Sequence, residues 1–110
     1  MADDPSAMQP APGAISHTFR LYVSAASPAS ARAMVNARKF LDDHLPGVHR
    51  LDVLDIARHV AAARADQIFA SPTLIRLLPL PQRRLIGDLS DSERMRLTLG
   101  LAPLTPRSVA

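Results

Sequence analysis

The chain of 110 residues contains no cysteine and no tryptophan, and only four glycines, three phenylalanines and one tyrosine. The missing cysteine excludes a disulfide framework, a thiolate zinc site and any thiol redox cycle. Four glycines leave no room for a glycine-rich phosphate loop. Few aromatics speak against a single-strand nucleic-acid surface, which interleaves rings with cations. No apolar run reaches the roughly 18 residues that a membrane span requires. The N-terminus, MADDPSAMQPAPGAIS, is acidic and has no apolar core of the kind a signal peptide carries. A cytoplasmic address is therefore expected.

What is present is an ordinary globular balance, with 47% hydrophobic and 21% charged residues. The formal net charge is +3, and the cations are twelve arginines and one lysine. Arginine suits forked pairing with carboxylates or phosphates. Length and composition fit one small domain. Residues 1–16 have little to bury and read as a disordered tail. Residues 17–101 form the expected folded unit, and 102–110 read as a loose C-terminal tail.

Within that unit, Phe19, Leu21 and Val23 alternate with Arg20 and Tyr22, which predicts a strand. Ser27-Pro28 reads as a helix cap and first helical position. Ala31, Met34, Val35, Arg38, Leu41 and Leu45 follow at helical spacing, until Pro46-Gly47 stops the helix. Residues 48–55, VHRLDVLD, predict a second strand, parallel to the first through a right-handed crossover. The alanine-rich residues 56–70 predict a second helix. Ser90 and Glu93 read as a capping box that opens a last short helix ending near Gly100.

Between these helices lies a segment of two meanings, FASPTLIRLLPLPQRRLIGDLS, residues 69–90. Leu74, Leu77 and Leu78 fit helical spacing, and the same run fits the two faces of a strand. As a hairpin it completes the order βαβαββα, a thioredoxin-like α/β arrangement. In that fold Pro72 occupies the place of a cis-proline ahead of the third strand.

Candidate chemistry is sparse. Thioredoxin-type enzymes carry their reactive pair where this chain has Ser24 and Ser27. A serine nucleophile needs an activating base, and the sequence names none. His17, His44, His49 and His59 make no helical pair for a metal. Asp42-Asp43 and Asp52 with Asp55 have no pocket to define them. No catalytic, cofactor-binding or metal-ligating residue is therefore assigned, and the chain reads as non-enzymatic. Two other readings stand beside this one: a cysteine-free thioredoxin-fold enzyme or thiol-cofactor module using Ser24 or Ser27, and a nucleic-acid binder.

Three stretches together resemble the KaiB family of circadian clock proteins: Phe19 to Pro28, Ala70 to Leu74, and Leu78 to Ser90, the last reading LPLPQRRLIGDLS. The resemblance covers roughly residues 18 to 100. It implies a thioredoxin-like monomer that binds a KaiC-type ATPase and modulates its phosphorylation or assembly state in circadian or stress timing. It also implies a second, ground-state fold, usually a tetramer of order βαββααβ, in which the C-terminal half is rebuilt. A dimer or tetramer of the chain is expected on that basis. The same resemblance suggests a basic partner surface of Arg20, Arg32, Arg50, Arg76 and Arg83, with Thr73 beside Pro72. A related possibility is the sensor domain of a KaiC-linked histidine kinase. The chain departs from the family at Ala25, where a glycine is usual, and before Ser71, where an acidic cluster thins to Asp66 with Arg64 beside it. At Leu97-Thr98-Leu99-Gly100 it lacks the Gly and Asp that the family ties to switching.

Overall fold

The computed structural model describes residues 14–104. The element order is β1 (His17–Val23), α1 (Pro28–His44), β2 (His49–Asp55), α2 (Val60–Ala65), β3 (Thr73–Leu78), β4 (Arg83–Ile86) and α3 (Ser92–Leu99). The four strands form one sheet in the order β2-β1-β3-β4. β2 runs parallel to β1, while β3 and β4 are antiparallel to their neighbours. This is the thioredoxin-like α/β order expected from the hairpin reading, not the alternative βαββααβ. The tails expected at 1–16 and 102–110 fall largely outside the described residues.

Strand alternation divides the burial between two faces. Phe19, Leu21, Leu74 and Leu85 lie on one face, packed with Ala33, Ala37, Phe40 and Leu41 of α1 and Met95 and Leu99 of α3. Tyr22 and Ile75 lie on the other, where Ala63 is the buried residue of α2. The first face therefore holds the main core, and the second is thinly covered.

Local chemistry explains each boundary. Ser27 Oγ accepts from Ser30 N at 3.2 Å and caps α1, with Pro28 at its first turn. The buried face of α1 is Ser30, Ala33, Ala37, Phe40 and Leu41, rotated from the stripe the sequence suggests; Val35 is 68% exposed. Small alanines, not the larger Val35, face the sheet and let the helix approach it. α2 is much shorter than the expected 56–70. Asp55 Oδ1 accepts from Ala57 N, and Asp55 O accepts from Arg58 N and His59 N, so residues 56–59 form a turn. Gln67, at φ 57°, closes the other end. The cap of α3 is Asp91, whose Oδ1 accepts from Arg94 N at 3.0 Å, and not Ser90. Ser90 N instead donates to Asp88 Oδ1 at 3.1 Å, and Glu93 pairs with Arg96. Gly100, at φ 68°, ends α3 in the left-handed conformation that favours glycine.

Candidate partner interface

On the thinly covered face, one residue, Asp66, ties three elements together through its side chain and its backbone. Cross-strand pairing sets Arg20 of β1 and Arg84 of β4 on either side of Ile75 in β3. Asp66 follows the last residue of α2 directly. Its Oδ2 accepts from Arg20 Nη1 at 2.9 Å and from the Tyr22 hydroxyl at 2.5 Å. Arg84 donates to the carbonyls of Asp66 and Gln67. Burial pushes the Asp66 carboxyl up, but the hydrogen bonds from Tyr22 and Arg20 and the charges of Arg20 and Arg84 outweigh it and hold the group below the usual carboxylate range. Burial, and then the bond to Asp66, push the Tyr22 phenol up.

The six residues expected to form a basic partner surface do not form one patch. Arg20 and Arg50 carry side chains on the α2 face, where Arg20 pairs with Asp66 and Arg50 with Asp52. Arg32 lies on α1 and pairs with Asp88 at 3.3 Å. Arg83 is exposed on β4, on the opposite face from Arg84. The remaining two are not surface groups, which corrects the expectation for them. Thr73 is 2% exposed and donates to Ala70 O at 2.7 Å; Arg76 is 7% exposed. Arg76 Nη1 donates to Leu99 O at 2.7 Å and Nη2 to Pro81 O at 2.9 Å, so the guanidinium clamps the end of α3 to the turn between β3 and β4. The Ser71–Pro72 bond is cis, and Pro72 O accepts from Gly87 N at 3.0 Å.

The most exposed apolar surface was not apparent from the sequence. A shallow cavity of about 310 Å³ lies along α2, lined by Ile56, Val60, Ala63, Arg64, Gln67, Ile68 and Phe69. Phe69 is 91% exposed and Val60 52%. Phe69 lies within the alanine-rich stretch 56–70, and the helix expected there assigns it no exposed role. The other three aromatic residues, Phe19, Tyr22 and Phe40, are buried, so the chain offers no row of rings for nucleic-acid bases.

The thioredoxin-enzyme reading finds no support at its serines. Ser27 Oγ serves as the helix cap, and Ser24 N donates to Ser30 Oγ at 3.0 Å. Among the described residues, neither serine hydrogen-bonds an imidazole or a carboxylate, and no group of three or more His, Asp or Glu could hold a metal ion. No helix among them is long and apolar enough to cross a membrane.

Comparison with known proteins gives this arrangement a family. The KaiB domain model matches residues 20–101. The circadian clock oscillator protein KaiB of Prochlorococcus marinus is 44% identical over 85 residues, covering 77% of this chain and 71% of that protein. Its counterpart in Synechococcus elongatus is 41% identical over 85 residues, covering 77% and 83%. Among solved structures, the N-terminal domain of Synechococcus elongatus SasA superposes with a TM-score of 0.65 at 20% identity, covering 84% of this chain and 90% of that one. Mitochondrial thioredoxin 3 of Saccharomyces cerevisiae gives 0.62 at 11% identity, covering 76% of each. These last two likenesses confirm the thioredoxin-like fold, and the match across residues 20–101 shows that the chain belongs to the KaiB family.

Proposed function

We propose that this chain is a non-enzymatic clock-type regulator that binds a KaiC-type ATPase and alters its phosphorylation or assembly state. The observation that carries the reading is the continuous family match from residue 20 to 101, which takes in part of β1 and every later strand and helix of the domain. The absence of cysteine and the use of Ser27 as a cap support a binding role over catalysis. The folded unit is residues 17–101, and it works in the cytoplasm.

The partner-binding form is the thioredoxin-like fold. A second, oligomeric ground state, dimer or tetramer, exchanges with it through the hairpin and α3. The sequence supports this exchange: the run of Leu74 to Leu78 suits helix and strand alike, and Arg94 to Leu99 alternates polar with apolar inside a capped helix. Arg20 and Arg50 on one side of the sheet and Arg32 and Arg83 on the other supply partner-facing charge, while Thr73, Arg76 and Pro72 hold the hairpin.

Binding kinetics test the proposal. With the chain held at low concentration and a KaiC-type ATPase with ATP in excess, the chain should bind, and exchange predicts an observed rate that stops rising with the ATPase concentration. A rate that rises linearly throughout means that the chain binds without changing fold. No binding to any KaiC-type ATPase contradicts the function itself.

A further inference from the structure

We propose that the cavity between the β3–β4 hairpin and the C-terminal end of α3 is a site for a phosphate group, free or as an ester. The cavity, about 480 Å³, is lined by Arg76, Arg83, Leu97, Thr98, Leu99 and Gly100. Arg76 and Arg83 are direct cross-strand partners, so both guanidinium groups stand on the α3 face of the sheet. Like charges placed directly opposite one another destabilise a sheet unless something neutralises them. Here nothing does: among the described residues, neither arginine has a carboxylate within 4.0 Å.

A second observation points the same way. Arg76 is more than nine-tenths buried, and its two Nη atoms are spent on Leu99 O and Pro81 O, while its Nε–H is buried with no acceptor. The Arg76 guanidinium is thus held by carbonyls alone, and no carboxylate offsets its buried charge among the described residues. A fixed, largely buried positive charge lines the cavity, and exposed Arg83 lines it beside Arg76. Among the described residues, the only hydrogen bond of the Arg83 side chain runs to the carbonyl of Gln82 at 3.4 Å, so its fork remains available. Two uncompensated guanidinium groups favour a doubly charged ligand, and the arginine fork matches phosphate oxygens in a bidentate way. The carbonyl-rich end of α3 would repel an anion, but Arg96 O accepts from Leu101 N, Leu97 O from Gly100 N and Leu99 O from Arg76. The cavity is roomier than one phosphate ion needs, and exposed Leu97 lines it, which suits the organic part of a phosphate ester.

This inference does not rest on the proposed function, and the test uses the chain alone. The ¹⁵N-labelled full chain is titrated at constant ionic strength with inorganic phosphate and, separately, with adenosine 5′-monophosphate, against chloride. Saturable amide shifts at Arg76, Arg83 and residues 97–100 are expected. Arg83→Gln should weaken them about tenfold or more, Arg83→Lys should fall between, and Arg38→Gln, an exposed arginine on α1, should leave them unchanged. Tighter binding of the nucleotide by about tenfold identifies a phosphate ester as the ligand class, and equal binding identifies the free ion. Shifts that only drift without saturating up to about 20 mM overturn the site, as do saturable shifts that survive Arg83→Gln.

Discussion

Asp66 is the residue on which the thin face of the sheet depends most. It joins Arg20 and Tyr22 of β1 to the end of α2, and Arg84 of β4 donates to its backbone carbonyl. Asp66→Asn removes the ion pair and weakens both side-chain hydrogen bonds. Because Arg20 is about one-third exposed, solvent screens part of that loss, and a cost of about 1–2 kcal/mol in urea unfolding at pH 7 is expected. The pH dependence has a definite sign. The carboxyl titrates lower in the folded chain than in the unfolded one, so between the two values the unfolded state binds more protons. The contribution is present above the ordinary aspartate value of about 4 and is lost as pH falls below it. The stability gap between the native chain and Asp66→Asn should therefore narrow as the medium is acidified; a gap that stays constant would show that the charge of Asp66 is not what matters. None of this was legible in the sequence, where Asp66 stood out only as a remnant of an acidic cluster. Its partners lie 44 and 46 residues away, and no local pattern brings them together. Arg76 was misplaced for a related reason. The family resemblance suggests a surface charge, but Arg76 shares the core face with Leu74, and the carbonyls of Leu99 and Pro81 make its burial tolerable.

At the scale of elements, strong local signals carried through and weak ones did not. β1, the Ser27 cap, α1 and β2 lie where alternation, capping and the Pro46-Gly47 stop place them. α2 shrank to six residues because helix propensity in an alanine-rich run gives little stability without a face to bury. Only Ala63 is buried in it, so amide exchange should be markedly faster across residues 60–65 than across 33–41 of α1; equal protection would mean that α2 is anchored by more than its packing. The cap of α3 gives a sharper test, because Ser90 and Asp91 are both good capping residues one position apart. Asp91→Ala should cost about 1 kcal/mol and Ser90→Ala only a few tenths, read by chemical denaturation. The reverse order would restore the capping box that the Ser-x-x-Glu spacing suggests. The choice falls on Asp91 because the Asp88 side chain already engages Ser90 N, and Arg96 engages Glu93.

For the whole molecule, the order of strands and helices was readable, and the layout of its charge was not. The six residues that the resemblance assigns to one surface scatter over two sheet faces and a helix, because the side to which each strand residue points is set by alternation. The net charge of +3 on an arginine-rich surface favours an acidic partner surface, so association should slow as ionic strength rises. An association rate indifferent to salt would point instead to the apolar groove of Val60 and Phe69 as the dominant contact. The hairpin and α3 carry sequence that suits two secondary structures, and two packings of similar stability exchange when a partner favours one of them. Size-exclusion chromatography with light scattering addresses partner and assembly together, for the chain alone and mixed with a KaiC-type ATPase and ATP. A dimer or tetramer that is slowly drawn into a complex with the ATPase is the expected result. A chain that remains apart from every KaiC-type ATPase, whatever its own size, would contradict the proposed function.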